Sequence, residues 1–125
     1  MGRPAALGPL VCRAMAEVSP ERARELAGDG RELIDVRSPQ EHEAGHIPGD
    51  RPIPFDQLKD EAASLARDQP VVLYCRSGDR SAAAVQALRA SGYDAYSIEG
   101  GILAWQEQGL PVEGEVIEHS TLPPR

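Results

Sequence analysis

The chain has 125 residues, 41% of them hydrophobic, which suits one compact domain around one core. Its net charge of −7 and pI near 4.9 argue against nucleic acid and anionic membrane as partners, and no apolar run approaches the roughly 20 residues that cross a bilayer. Two cysteines, Cys12 and Cys75, make no disulfide framework, so a reducing, cytoplasmic setting is expected.

Residues 1–14 carry two prolines and two glycines without a clear period and read as a flexible extension, with Met15 as the natural start. Leu10-Val11-Cys12 only faintly resembles a lipoprotein cleavage site, because Val11 is not a small residue. Ser19-Pro20-Glu21 then supplies a cap, a first-position proline and an acid, and opens a helix that Gly28 to Gly30 stop. Glu32 to Val36 reads as a strand. Ser38-Pro39-Gln40-Glu41 is a capping-box pattern that starts a short helix. Asp35, Arg37 and Glu41 are either a catalytic acid–base set or an ion-pair network bracing a site. The network is the preferred reading.

Leu58, Ala62 and Leu65 space an amphipathic helix over Phe55 to Arg67, ended by Asp68-Gln69-Pro70. Val71 to Tyr74 is a short apolar run leading straight into Cys75, and reads as a buried central strand. Arg76-Ser77-Gly78-Asp79-Arg80 follows as a loop, and Ser81 to Ala90 as a helix with Ala84, Val85 and Leu88 on one face. Cys75 therefore sits where a strand turns into a helix, the place where open α/β sheets put their ligand sites. Loop N–H groups, the helix dipole, Arg76 and Arg80 predict an anion site and a reactive thiolate there. The plainer alternative is a small buried hydrophobe at a strand end. Ala95 to Ile98 is the next strand and Gly101 to Gln108 the last helix, with Trp105 in the core or at the site rim. Residues 113–125 are acidic and contain prolines, and read as a flexible tail.

The loop Cys75-Arg76-Ser77-Gly78-Asp79-Arg80-Ser81 resembles the active-site loop of the rhodanese-like family of thiosulfate sulfurtransferases. Ile34-Asp35-Val36-Arg37, the stretch with Gly45-His46-Ile47-Pro48-Gly49, and Glu99-Gly100-Gly101-Ile102-Leu103-Ala104-Trp105 are similar to its other signatures, in order. The resemblance covers about residues 18–112 and implies a rhodanese-like domain over 15–112. It implies an α/β fold with a five-stranded, mainly parallel sheet and helices on both faces, as the alternation of strands and helices also suggests. After Gly49 the chain departs from the family pattern. Asp50-Arg51-Pro52 would suit only a short or edge strand.

The resemblance assigns Cys75 as nucleophile. Its thiolate attacks the outer sulfur of thiosulfate or another persulfide donor, sulfite leaves, and cyanide or a thiol takes the sulfur from the Cys75 persulfide. Arg76, Ser77, Gly78, Asp79 and Arg80 form the substrate cradle, with Arg80 leaning towards bracing the loop against an acid. Asp35, Arg37, Glu41 and His46 support the site, His46 by bracing backbone. His42 and His119 show no metal-ligand spacing with the cysteines, so no metal and no cofactor are expected. Three alternatives stay open: a binding module in a sulfur relay that carries a persulfide to a protein acceptor or only docks a partner, a cysteine phosphatase, and an arsenate reductase. Only four residues separate Cys75 from Arg80, a tighter loop than a phosphatase of this general kind uses.

Overall fold

A computed structural model of the chain describes residues 16–28, 32–65 and 67–116. The expectations for residues 1–14, Cys12, Met15, His119 and the end of the tail lie outside the described residues. The strands are β1 (Glu17–Val18), β2 (Glu32–Asp35), β3 (Gly45–His46), β4 (Arg51–Pro52), β5 (Val71–Tyr74), β6 (Ala95–Ile98) and β7 (Glu113–Gly114). The helices are α1 (Pro20–Ala27), α2 (Pro39–Ala44), α3 (Leu58–Glu61), α4 (Asp79–Ala90) and α5 (Gly101–Glu107).

Five strands form one parallel sheet in the order β1-β6-β5-β2-β4, and β3 pairs with β7 in a separate antiparallel ribbon. The α/β architecture with its five-stranded parallel sheet is as expected from the sequence. β5 is central and fully buried, and its residues alternate between two apolar clusters. Val71 and Leu73 face a cluster with Leu58, Leu65, Val85 and Leu88. Val72 and Tyr74 face a cluster with Ala23, Leu26, Ile102 and Trp105. Helices therefore cover both faces, and each aliphatic side chain so enclosed contributes about 1.5–3 kcal/mol relative to exposure.

Local chemistry fixes the ends of these elements. The Ser19 hydroxyl accepts from the Arg22 N–H at 3.1 Å and starts α1. At α2 the capping box closes both ways: Glu41 N donates to Ser38 Oγ at 3.2 Å and Ser38 N to Glu41 Oε1 at 3.0 Å. β4 is only two residues long and lies at the sheet edge, where Pro52 can be tolerated.

Two expectations are revised. The run from Phe55 to Arg67 is not one helix but a 3-10 turn at Phe55–Gln57, α3, and a 3-10 turn at Ala62–Ser64. Side chains have taken the carbonyls that would continue it. The Ser64 hydroxyl donates to Glu61 O at 2.7 Å, and the Tyr93 hydroxyl donates to Ala62 O at 2.6 Å. The flexible tail expected from residue 113 also begins later. Glu113–Gly114 pairs with β3, and Glu115 N donates to Ala44 O at 2.7 Å.

Candidate active site

β2 and β5 run side by side with Asp35 opposite Tyr74, so the loops that follow them open at the same edge of the sheet. After β5 the chain turns sharply. Gly78 takes φ +109 and caps α4. The turn wraps around the sulfur of Cys75, which receives the Gly78 N–H at 3.1 Å and the Ser81 N–H at 3.4 Å. The sulfur lies 3.6 Å from the Ser81 hydroxyl, which in turn is 2.7 Å from the hydroxyl of Ser97 on β6. Cys75, Ser81 and Ser97 are all buried. Two backbone donors thus converge on one sulfur at the start of α4.

The loop rests on the turn before α5. Ile102 N donates to Cys75 O at 2.9 Å and Leu103 N to Arg76 O at 3.2 Å. Gly101 has φ +64, and a Cβ there would run into the carbonyls of Cys75 and Arg76. This close approach requires glycine at Gly101, while Gly100, with φ +79, would set a Cβ against Ala104.

The loop residues split in their placement. Arg80 turns to Glu41, its Nη1 and Nη2 lying 3.1 and 3.2 Å from the two carboxylate oxygens. Burial alone would raise the Glu41 carboxyl, but hydrogen bonds from Arg80 and Ser38 outweigh it and hold it down at about 2. Ser77 and Asp79 are exposed, and with Gly78 and Glu99 they line a recess of about 100 Å³. Arg76 is half-buried, and its Nε has no hydrogen-bond partner, the sole buried side-chain nitrogen or oxygen of that kind among the described residues.

Asp35, Arg37 and His46 gather at the neighbouring loop. Asp35 is fully enclosed and accepts Arg37 N at 3.0 Å, Arg37 Nε at 2.9 Å and Arg37 Nη2 at 2.8 Å. Arg37, also buried, further donates to Gly45 O at 2.6 Å. With His42 Nδ1 2.9 Å from its Oδ2 as a fourth neighbour, this carboxylate is fully engaged in bracing the loop. His46 directs Nδ1 at His42 O, 2.9 Å away.

Two side chains that sequence reasoning did not assign join this cluster. His42 Nδ1 is 2.9 Å from Asp35 Oδ2 and 3.5 Å from Asp50 Oδ2, and Asp50 accepts a short hydrogen bond from the Tyr74 hydroxyl. Burial raises the Asp50 carboxyl against the opposing pull of Tyr74 and His42, and burial with the nearby Asp35 and Asp50 charges raises the Tyr74 hydroxyl. The signal available was the regular spacing of His42, His46 and Asp50, four residues apart each time. These three place ligand-type atoms within 4.8 Å of one another. However, the two imidazoles are stacked, 4.1 Å apart and 16° from parallel. Their in-plane lone pairs run side by side and cannot converge on one ion at metal–nitrogen distance, so the trio is a hydrogen-bonded cluster.

No described helix is long and apolar enough to cross a membrane. The family model described as "Rhodanese-like domain" matches residues 19–108. A rhodanese-related protein from Thermoplasma volcanium superposes with a TM-score of 0.72 at 34% identity, covering 79% of this chain and 98% of that one. The uncharacterized protein YqhL of Bacillus subtilis is 47% identical over 75 residues, 59% of this chain, and the chain spans only 60% of YqhL. The thiosulfate sulfurtransferase GlpE of Pseudomonas paraeruginosa is 36% identical over 90 residues, covering 71% of this chain and 82% of GlpE. With that match to residues 19–108, the same architecture in solved rhodanese-like structures and a sulfurtransferase among its relatives, the chain belongs to the rhodanese-like domain family.

Proposed function

We propose that the protein is a sulfurtransferase that carries a sulfane sulfur on Cys75. The observation that carries this reading is the sulfur held by the Gly78 and Ser81 N–H groups at the start of α4. Backbone donors stabilise a thiolate and then a persulfide without themselves reacting. The Cys75 thiolate attacks the outer sulfur of thiosulfate, a new S–S bond forms, and the S–S bond of the donor breaks with its electron pair leaving on sulfite. Cyanide or a thiolate then attacks the terminal sulfur, and the Cys75 thiolate is released. Arg76, next to Cys75 in sequence, supplies the cation that meets the donor's oxygens. Ser77, Gly78 and Asp79 form the turn that wraps the sulfur. Arg80 acts as a positioning residue through Glu41, and Asp35, Arg37 and His46 hold the scaffold. No metal, cofactor or separate general base takes part. A reducing cytoplasm suits a free nucleophilic thiol, and we place the protein there.

The pairing of Arg80 with Glu41 speaks against the phosphatase and arsenate reductase readings, which would need that guanidinium turned to a tetrahedral oxyanion. The test is thiosulfate:cyanide turnover by wild type and Cys75→Ser. The reading expects ping-pong kinetics from wild type and no turnover from the variant. Turnover that survives in Cys75→Ser, or a sequential pattern, overturns it.

A further inference from the structure

Sulfur transfer leaves one feature unused, the contact between the last described segment and α2. Residues 110–116 cross over β3. Leu110, Val112 and Val116 pack on the cluster that holds Ile47 and Trp105, and Trp105 Nε1 donates to Pro111 O at 2.8 Å. Gly45 faces Gly114 across the β3–β7 ribbon, and a Cβ on Gly45 would collide with the Glu115 backbone, one on Gly114 with the Ala44 carbonyl.

One side chain closes this ribbon. His46 Nδ1 lies 2.9 Å from His42 O, and His46 Nε2 lies 3.1 Å from Glu113 Oε1. A carbonyl and a carboxylate only accept hydrogen bonds, and neutral imidazole has a single N–H. Both contacts can be made together only by the doubly protonated ring. The surrounding charges fit such a ring. From α2, His42 stacks on it; from the turn after β3, Asp50 faces the pair; from β7 comes Glu113; from β2, Asp35 reaches His42. Arg37 already matches Asp35, and Asp50, pushed towards its neutral form by burial, accepts from the Tyr74 hydroxyl, which leaves Glu113 as the carboxylate that meets His46.

We propose that residues 110–116 form a proton-dependent clasp. With a proton on both nitrogens, His46 ties β7 to α2. When one proton leaves, the exposed Glu113 contact is lost and the segment loosens from α2. That helix carries Glu41, and through Glu41 it holds Arg80 of the Cys75 loop. Falling pH closes the clasp and rising pH opens it.

Hydrogen–deuterium exchange on the full chain tests this without any sulfur chemistry, so its failure is distinguishable from failure of the enzymatic reading. Rates for residues 112–116, corrected for intrinsic exchange, are compared between about pH 5.5 and about pH 8, where imidazole side chains change charge. Because Glu113 is exposed, the expected loss of protection in wild type is about two- to fivefold. Glu113→Gln keeps an acceptor but no charge, and its profile is expected to be flat. Gly114→Ala is expected to expose the segment at every pH. A flat wild-type profile, the same slope in Glu113→Gln, or wild-type protection in Gly114→Ala overturns the proposal.

Discussion

The two loops at the carboxyl edge of the sheet handle charge in opposite ways. After β2, Asp35 and Arg37 are buried and paired, with Gly45 O and His42 Nδ1 as further partners. After β5, the sulfur is held mainly by neutral backbone donors, and the adjacent Arg76 Nε is left without a partner. Buried charge that is fully paired serves architecture. Backbone donors gathered on one sulfur suit a reaction, because they can follow the charge of that sulfur as it changes partners.

This contrast can be broken from either side. The largest effect on stability is expected from Arg37→Ala, which strands the Asp35 carboxylate in the interior. Removing one member of a buried pair costs about 3–5 kcal/mol, read from denaturant unfolding. A loss below about 1 kcal/mol would show that the pair is not the brace described here.

Gly101→Ala comes next. It forces a side chain into the left-handed region and against the Cys75 and Arg76 carbonyls. About 1–3 kcal/mol of destabilisation is expected, with a larger fractional fall in kcat than in stability, because the strain falls on the loop that shapes the sulfur site. Wild-type turnover in a folded Gly101→Ala protein would separate that turn from the chemistry.

Glu41→Gln is gentler. It keeps the capping acceptor but removes the charge that holds Arg80, and about a two- to fivefold fall in kcat is expected. The pH dependence of this tie has a definite sign. The Glu41 carboxyl is held at about 2 in the folded protein, below the unfolded value near 4.3. Its stabilisation is therefore complete above the unfolded value and is lost as pH falls towards about 2. Acid unfolding curves of wild type and Glu41→Gln should converge there and not at neutral pH.

The smallest effect belongs to Asp50→Asn. The buried carboxyl is already pushed towards its neutral form, and asparagine still accepts from Tyr74. A stability change within about 1 kcal/mol is expected by thermal melting.

Much of this was readable from the chain, for physical reasons. Val71 to Tyr74 and Ala95 to Ile98 are short apolar runs with β-branched or aromatic residues, and they became β5 and β6. Ser38 and Glu41 announced α2 through a local hydrogen-bond pattern. The Cys75 turn was legible because glycine and charge sit within a few residues of a strand end. What stayed hidden depends on distant partners. Nothing local in Phe55 to Arg67 says that Tyr93 will take the Ala62 carbonyl and end the helix. Arg80 does not name Glu41, thirty-nine positions away, as its partner. β1 and β7 are two residues each, too short for any period to register. Asp50 looked like a misplaced charge until the fold put Tyr74 and His42 beside it.

The central claim is that Cys75 becomes a persulfide, and intact mass spectrometry after exposure to thiosulfate alone tests it most directly. The account predicts that wild type gains the mass of one sulfur atom and that cyanide removes it, while Cys75→Ser gains nothing. A wild-type protein that stays unmodified, or a Cys75→Ser protein that takes up the same mass, would contradict it.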